Sequence, residues 1–279
     1  MLQVVSGGIY MDGTLGLGGH TREILKRSAP AGRVVAFEWD EQAIEASRKN
    51  IAEYESRLTI IRRNFAEIEV GLAEAGYAEV DGILIDVGLS SLQLDIGERG
   101  FSFQKDEPLD MRMDQRREKT AETILETASE KELADIFFYY GEEKQSRRIA
   151  ARVVEERKQG GIKTSGRLAE LVARAIPRRF HPPRIHVATR VFQALRIAVN
   201  EELSNLSVIL DKAADHLSAG GRFCVISFHS LEDRMVKKKF AANDRFRVLT
   251  KKPITPSDQE VNANRRSRSA RLRVAERLA

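Results

Sequence analysis

The sequence predicts an α/β protein, a mainly parallel sheet with helices on both faces, interrupted by an all-helical insertion. Three observations carry this. Short β-branched, apolar runs alternate with helical stretches as far as Asp86, helical periodicity alone runs from Thr120 to Leu217, and the strand signal returns at Arg222. Strands alternating with helices imply right-handed crossovers and parallel pairing. At 279 residues the chain is long for one domain and short for three. The expected division is 1–110 for the first part of the sheet domain, 111–200 for the helical insertion, and 201–279 for the second part with a basic C-terminal segment.

Each element has its own signal. Gly8-Ile9-Tyr10-Met11-Asp12 is an apolar run ending in an acid and a glycine-rich turn, so it reads as a strand entering a loop, with helix resuming near His20. Arg33 to Glu38 is a second strand, after which Asp40 opens a helix with Ala43, Ile44, Ala46 and Ile51 on one side. Leu58 to Ile61 and Val80 to Asp86 repeat the strand signal on either side of a helical stretch from Phe65 to Ala75. In the insertion, Leu133, Ile136, Phe137 and Tyr140, and then Leu168, Leu171, Val172 and Ile176, keep helical spacing. Pro177 to Pro183 interrupts this pattern and Ala188 to Leu195 restarts it. After the strand Arg222 to Ser227 come a helix from Leu231 and two more strand candidates, Phe246 to Leu249 and Ala270 to Ala275.

Composition excludes several classes. Hydrophobic residues at 42% and charged residues at 31% argue against disorder. No apolar stretch approaches the roughly 18 residues of a membrane span, and the start lacks a signal-peptide layout, so the cytoplasm is the expected location. The single cysteine, Cys224, rules out an internal disulfide and reads as core. His181 and His186 sit among prolines without nearby carboxylates, so no metal is expected. The net charge of +5 is uneven: residues 234–279 hold 14 basic and 4 acidic side chains, and the preceding 233 residues are net negative. The tail Arg265-Arg266-Ser267-Arg268 can neutralise backbone phosphates, which fits a nucleic-acid partner as well as a solvated terminus.

The loop Asp12-Gly13-Thr14-Leu15-Gly16-Leu17-Gly18-Gly19-His20 lets a ligand approach the backbone at the mouth of the sheet. No Gly-Lys-Ser/Thr follows, which argues against a phosphate-cradling nucleotide hydrolase, and Thr21 stands where a dinucleotide fingerprint starting at Gly16 needs glycine. Glu38, about 20 residues on, can accept both hydroxyl hydrogens of a ribose. That leaves NAD and S-adenosylmethionine both open. Asp12, Glu38 and Asp86 place an acid at each of three strand ends.

Over nearly its whole length the sequence resembles the bacterial small-subunit rRNA (cytosine-N4)-methyltransferases known as RsmH or MraW. The resemblance rests on Asp12 to His20, Asp81 to Asp86, Ser90 to Asp95, Arg99 to Phe103 and Pro108 to Asp114. It continues through Tyr140 to Glu143, Phe192 to Ile197, Ile226 to Arg234 and Leu272 to Arg277. It implies a class I S-adenosylmethionine-dependent, Rossmann-like methyltransferase domain interrupted by a helical substrate-recognition domain, acting on one cytosine N4 in the decoding region of 16S rRNA. It also implies an assembled small subunit as partner, while a homodimer stays open. By position, Gly18, Gly19 and His20 line the methionine side of the cofactor, with Asp12 and Gly16 in the same loop, Glu38 holds the ribose, Phe65 packs near the adenine, and Asp86 and Gln93 sit beside the reacting centre. The family's usual residue at position 38 is Asp, and Leu92, Val187 and Arg265 replace prolines. Members also carry a longer lead-in before the first strand, so either the start lies elsewhere or a cover of the pocket is missing.

Cytosine N4 is a poor nucleophile, because its lone pair is delocalised into the ring. Positioning and an acceptor for the amine hydrogen should therefore dominate. Asp86 can be that acceptor or can orient the cofactor amino group. Ser227 and His229 follow the fifth strand and are candidates to contact the target base, though His229 equally suits a helix cap. Arg112 and Arg190 in the insertion, and Arg265, Arg266 and Arg268 in the tail, are the candidate RNA contacts. Arg147, Arg148 and Arg152 recur at helical spacing as a phosphate-facing or simply solvated face. Two rival functions are an NAD-dependent oxidoreductase and a non-catalytic RNA-binding assembly factor.

Overall fold

The computed structural model describes residues 1–90, 92–93, 98–183 and 185–279. The chain divides into two compact units, one of residues 1–90 with 203–279 and the other of residues 91–202. Residues 98–110 group with the helical unit. Local bonds tie this stretch there: the Leu109 N–H donates to Lys163 O at 3.1 Å and the Glu107 N–H to Ser165 Oγ at 3.0 Å.

The first unit is a seven-stranded sheet of β1 (Ile9–Asp12), β2 (Arg33–Phe37), β3 (Leu58–Ile61), β4 (Val80–Asp86), β5 (Leu217–Ser227), β6 (Phe246–Val248) and β7 (Arg271–Arg277). The order across it is β3-β2-β1-β4-β5-β7-β6. The first five strands run parallel, and β7 is antiparallel to both its neighbours. This is the Rossmann-like order, with an antiparallel strand wedged near one edge.

The period-2 alternation of a strand sorts side chains to two cores. Met11, Val35, Phe37, Ile83, Ile85, Phe223 and Val225 point to one face. There they meet Ile68 and Leu72 of α3 (Ile68–Glu74), with Leu206 and Ile209 from the helix Glu202–Lys212 and Val236 and Phe240 from Ser230–Ala242. Their strand neighbours Tyr10, Val34, Ala36, Leu84 and Cys224 point to the other face, against Ile24 and Leu25 of α1 (Gly19–Arg27). Because both faces are covered, β2 and β4 read as continuous apolar runs. Asp40 caps α2 (Glu41–Asn50) by accepting the Gln42 N–H at 3.1 Å.

The second unit holds α4 (Ala121–Thr127), α5 (Glu130–Tyr139), α6 (Ser146–Arg157), α7 (Ser165–Ala175) and α8 (Thr189–Asn200). Helix α5 packs on α6 and α8, and α6 on α7, burying Leu133, Phe137, Ile149, Val153, Leu168, Val172, Val191 and Leu195. Thr120 and Ser129 start α4 and α5 with capping boxes. Asn200 closes the unit: its side-chain amide donates to Met111 O at 2.7 Å and its oxygen accepts the Met113 N–H at 2.8 Å. This holds Met111 at φ +58, a left-handed conformation that a non-glycine residue adopts only under such constraint. The helix Glu202–Lys212 (α9) returns the chain to the sheet, followed by α10 (Ser230–Ala242) and α11 (Asp258–Ala263). Among the described residues no helix is long and apolar enough to cross a membrane.

Candidate functional site

The sheet order reverses direction between β1 and β4, and open α/β sheets bind ligands at the carboxyl edge beside such a switch point. The residues ending β1, β2 and β4 are Asp12, Phe37 followed by Glu38, and Asp86. Three backbone bonds pin this edge: the Gly13 N–H donates to Leu84 O at 2.8 Å, Leu15 N–H to Phe37 O at 3.0 Å, and Glu38 N–H to Ile61 O at 3.1 Å. Thr14 adds a fourth, its Oγ1 accepting the Asp86 N–H at 2.7 Å.

The three acids are not equivalent. Asp12 is fully buried and its carboxylate is engaged, accepting Thr21 Oγ1–H at 2.7 Å and the Thr14 N–H at 3.1 Å. Burial raises its pKa, and the nearby His20 opposes that rise. Asp12 therefore braces the glycine loop against α1. Glu38 is partly exposed. Its Oε2 accepts the Gly16 N–H at 3.0 Å and its Oε1 the Trp39 and Asp40 N–H groups at 2.9 and 3.0 Å, yet burial pushes its carboxyl up to about 7. Asp86 Oδ2 lies 3.4 Å from His20 Nε2. Its other oxygen, Oδ1, is buried and has no hydrogen-bond partner among the described residues. The bond to Asp86 is the main reason the imidazole of His20 titrates above its ordinary range.

Between these acids lies a glycine cradle. Gly16 and Gly18 adopt φ +51 and +85, and Gly18 is the N-cap of α1, with no side-chain cap and no acid in the first turn. The first N–H groups of α1 and the exposed Gly19 and His20 thus form an open, positively polarised end suited to a carboxylate. Phe65 packs beside Gly13, its Cβ 3.1 Å from where a glycine side chain would begin. A cofactor with a carboxylate, an amino group and a ribose fits this set. The helix end can take the first and Glu38 hydroxyl hydrogens, while Asp86 Oδ1 is open to an N–H of either the cofactor amine or an acceptor amine.

The remaining candidates lie elsewhere. Ser227 is buried, its Oγ 3.4 Å from Arg271 O in the neighbouring strand. His229 is the N-cap of α10: Nδ1 accepts the Glu232 N–H at 3.5 Å, while Nε2 lies 2.9 Å from Glu232 Oε1. Glu232 Oε2 in turn accepts the Phe228 N–H at 2.8 Å. Gln93 is buried in the second unit. Arg112 is held by Asp110 through Nε and Nη2 at 2.7 and 2.8 Å. Arg190 is half-buried, 3.9 Å from Glu143, and Arg265, Arg266 and Arg268 are exposed in a short 3-10 turn. Of the resemblance stretch, Ser91 and residues 94–97 lie outside the described residues.

Sequence reasoning passed over Thr14, Glu232 and the pair Asp233–Arg273. Glu232 was visible as the fourth residue of a His-x-x-Glu capping pattern. Asp233 meets Arg273 Nε at 2.6 Å and Arg271 Nη1 at 3.3 Å, joining α10 to β7, a pairing of residues 40 apart that no local spacing reveals.

The sheet order, with its antiparallel β7, and the acid-and-glycine edge define a class I S-adenosylmethionine-dependent methyltransferase. The model of the MraW methylase family matches residues 1–278. The chain belongs to that family. It is 64% identical over 272 residues to the protein named Ribosomal RNA small subunit methyltransferase H from Desulfotalea psychrophila, covering 98% of this chain and 92% of that one. It is 52% identical over 277 residues to the protein of the same name from Cyanothece sp., covering 99% and 90%.

Proposed function

We propose that this protein methylates the exocyclic N4 of a cytidine in the decoding region of small-subunit 16S rRNA. The observation that carries the reading is the buried, unpartnered Asp86 Oδ1 at the carboxyl edge. It is an acceptor whose desolvation goes unrepaid until an N–H reaches it. When bound, S-adenosylmethionine supplies an electrophilic sulfonium methyl. The chain's own residues do the positioning. The α1 N-terminus with Gly18, Gly19 and His20 holds the methionine carboxylate, Glu38 the ribose hydroxyls, and Phe65 the edge of the adenine.

Asp86 Oδ1 accepts a hydrogen of the target amine, which favours pyramidal nitrogen and takes up the developing positive charge. His20 steadies the carboxylate from its other oxygen. After transfer the amine loses one proton to water, leaving a neutral N4-methylcytosine. His229 acts through Glu232 as a positioning residue for the Phe228-His229 turn. The target base must leave its stack to be methylated. Arg112 and Arg190 in the helical unit, and Arg265, Arg266 and Arg268 in the sheet unit, are the proposed phosphate contacts, each within its own unit. The reading places the protein in the cytoplasm.

Two measurements test it. S-adenosylhomocysteine should raise the melting temperature and NAD should not; the reverse would favour a dehydrogenase. For Asp86→Asn, cofactor affinity and single-turnover methylation are measured separately. The proposal expects a turnover loss of about 100-fold or more in the saturated complex, the scale of removing one charge-stabilising group. Unchanged turnover would reduce Asp86 to orienting the cofactor.

A further inference from the structure

The helical unit exposes two adjacent aromatic rings that its own core does not use. Phe138 and Tyr139, the last residues of α5, are 50% and 62% exposed. Their rings meet edge to face, with centroids 5.2 Å apart and planes at 84°. The apolar face of α5 is already satisfied by Leu133, Ala134 and Phe137, all buried. Lys144 in the short link that follows α5, and Arg147 and Arg148 at the start of α6, are exposed, and among the described residues none of the three is in a salt bridge, whereas Arg152 pairs with Glu155. Charge changes sign at this link. Residues 118–143 hold 2 basic and 8 acidic side chains, and residues 144–183 hold 11 basic and 3 acidic. The acids at the link are Glu142, exposed, and Glu143, which is buried, accepts the Gln145 N–H at 2.8 Å and lies 3.9 Å from Arg190.

We propose that the Phe138–Tyr139 step and the cations Lys144, Arg147 and Arg148 form a docking surface for single-stranded RNA. Unpaired bases stack on the rings and phosphates meet the cations. The inference rests on the rRNA reading above and extends it to the strand flanking the target. Stacking accepts any base because every base has a π face, and a basic track follows the backbone. The surface therefore grips RNA without choosing the cytidine. A second copy of the chain is a poorer occupant, because a two-fold interface sets each patch against itself and would bring like charges together.

The test is fluorescence anisotropy of the full chain with a labelled single-stranded oligocytidylate of about 12 nucleotides, and with the same strand in a duplex, across a salt series. Phe138→Ser with Tyr139→Ser should weaken single-strand binding about tenfold or more, leaving duplex binding and the salt slope unchanged. Lys144→Gln with Arg147→Gln and Arg148→Gln should instead lower the slope of log K against log salt by about 2. Melting curves matching the parent chain exclude misfolding as the cause. Parent-like single-strand affinity in the aromatic variant overturns the proposal, as does a change in sedimentation mass with RNA binding intact, which would make the rings a protein interface. Methyl incorporation into small subunits by the parent chain is scored alongside. Its absence would sink the proposed function, while incorporation with RNA binding unaffected in both variants would sink the docking surface alone.

Discussion

Lowering the pH from 8 to 6 should weaken binding of the adenosine half of the cofactor about tenfold, through Glu38 alone. Three backbone N–H groups already donate to its carboxylate, but burial outweighs them and pushes the carboxyl up to about 7. Ribose hydroxyls need the ionised form as acceptor, so the protonated protein must first release a proton. The apparent dissociation constant then scales as 1 + 10^(7−pH), about 1.1 at pH 8 and about 11 at pH 6. The fold itself has the opposite trend. A carboxyl whose folded pKa lies above its unfolded value of 4.5 contributes stability below that value and loses it as pH rises through about 7. The assay is calorimetric titration with 5′-methylthioadenosine, which lacks the methionine carboxylate and amino group and so does not engage His20. Glu38→Gln should bind weakly with no pH slope. Flat binding in the parent chain between pH 6 and 8, or an unchanged slope in Glu38→Gln, would refute the ribose assignment.

Three further outcomes follow from the geometry. Gly18→Ala forces a side chain into φ +85 with its Cβ 3.0 Å from Ile51 Cδ1. The left-handed backbone alone costs about 1–2 kcal/mol, so S-adenosylhomocysteine affinity should fall about tenfold as the loop shifts, checked by calorimetry. Asp233→Ala leaves the buried Arg273 guanidinium unpaired and should destabilise the sheet unit by about 3–5 kcal/mol in urea titrations, whereas a paired Asp233→Leu, Arg273→Met replacement should recover most of the loss. His229→Ala should cost about 1 kcal/mol of stability from the lost cap, and His229→Ser, which can still cap, should restore both stability and single-turnover rate. A rate that stays depressed in His229→Ser would show the imidazole touching substrate.

The strands were legible as short β-branched, apolar runs, and all seven overlap the stretches those runs mark. Their limits and directions were less so. The strand β5 starts at Leu217, ahead of the Arg222 signal, because its first half is Ser218-Ala219-Gly220-Gly221, which has no strand character of its own. Pairing of Val80 with Leu217 across an irregular register carries it. The antiparallel β7 between β5 and β6 was hidden, since direction depends on the connection and not on the strand's residues. At the site, spacing alone put Asp12, Glu38 and Asp86 at three strand ends. It could not show that Asp12 is spent on Thr21 and Thr14 while Asp86 keeps one oxygen unpartnered, because Thr14 Oγ1 and His20 reach Asp86 only through tertiary contacts. Arg112 shows the same limit: its pairing with Asp110 is local, but the loop that holds both is fixed by Asn200, nearly 90 residues on.

The most direct test of the central claim is mass spectrometry of nucleosides from small subunits that lack the modification, incubated with the chain and S-adenosylmethionine bearing a deuterated methyl. The account predicts a single labelled product, N4-methylcytidine in the decoding region, formed by the parent chain and lost in Asp86→Asn. Label on ring carbon or ribose oxygen, or no label despite bound cofactor, would contradict it.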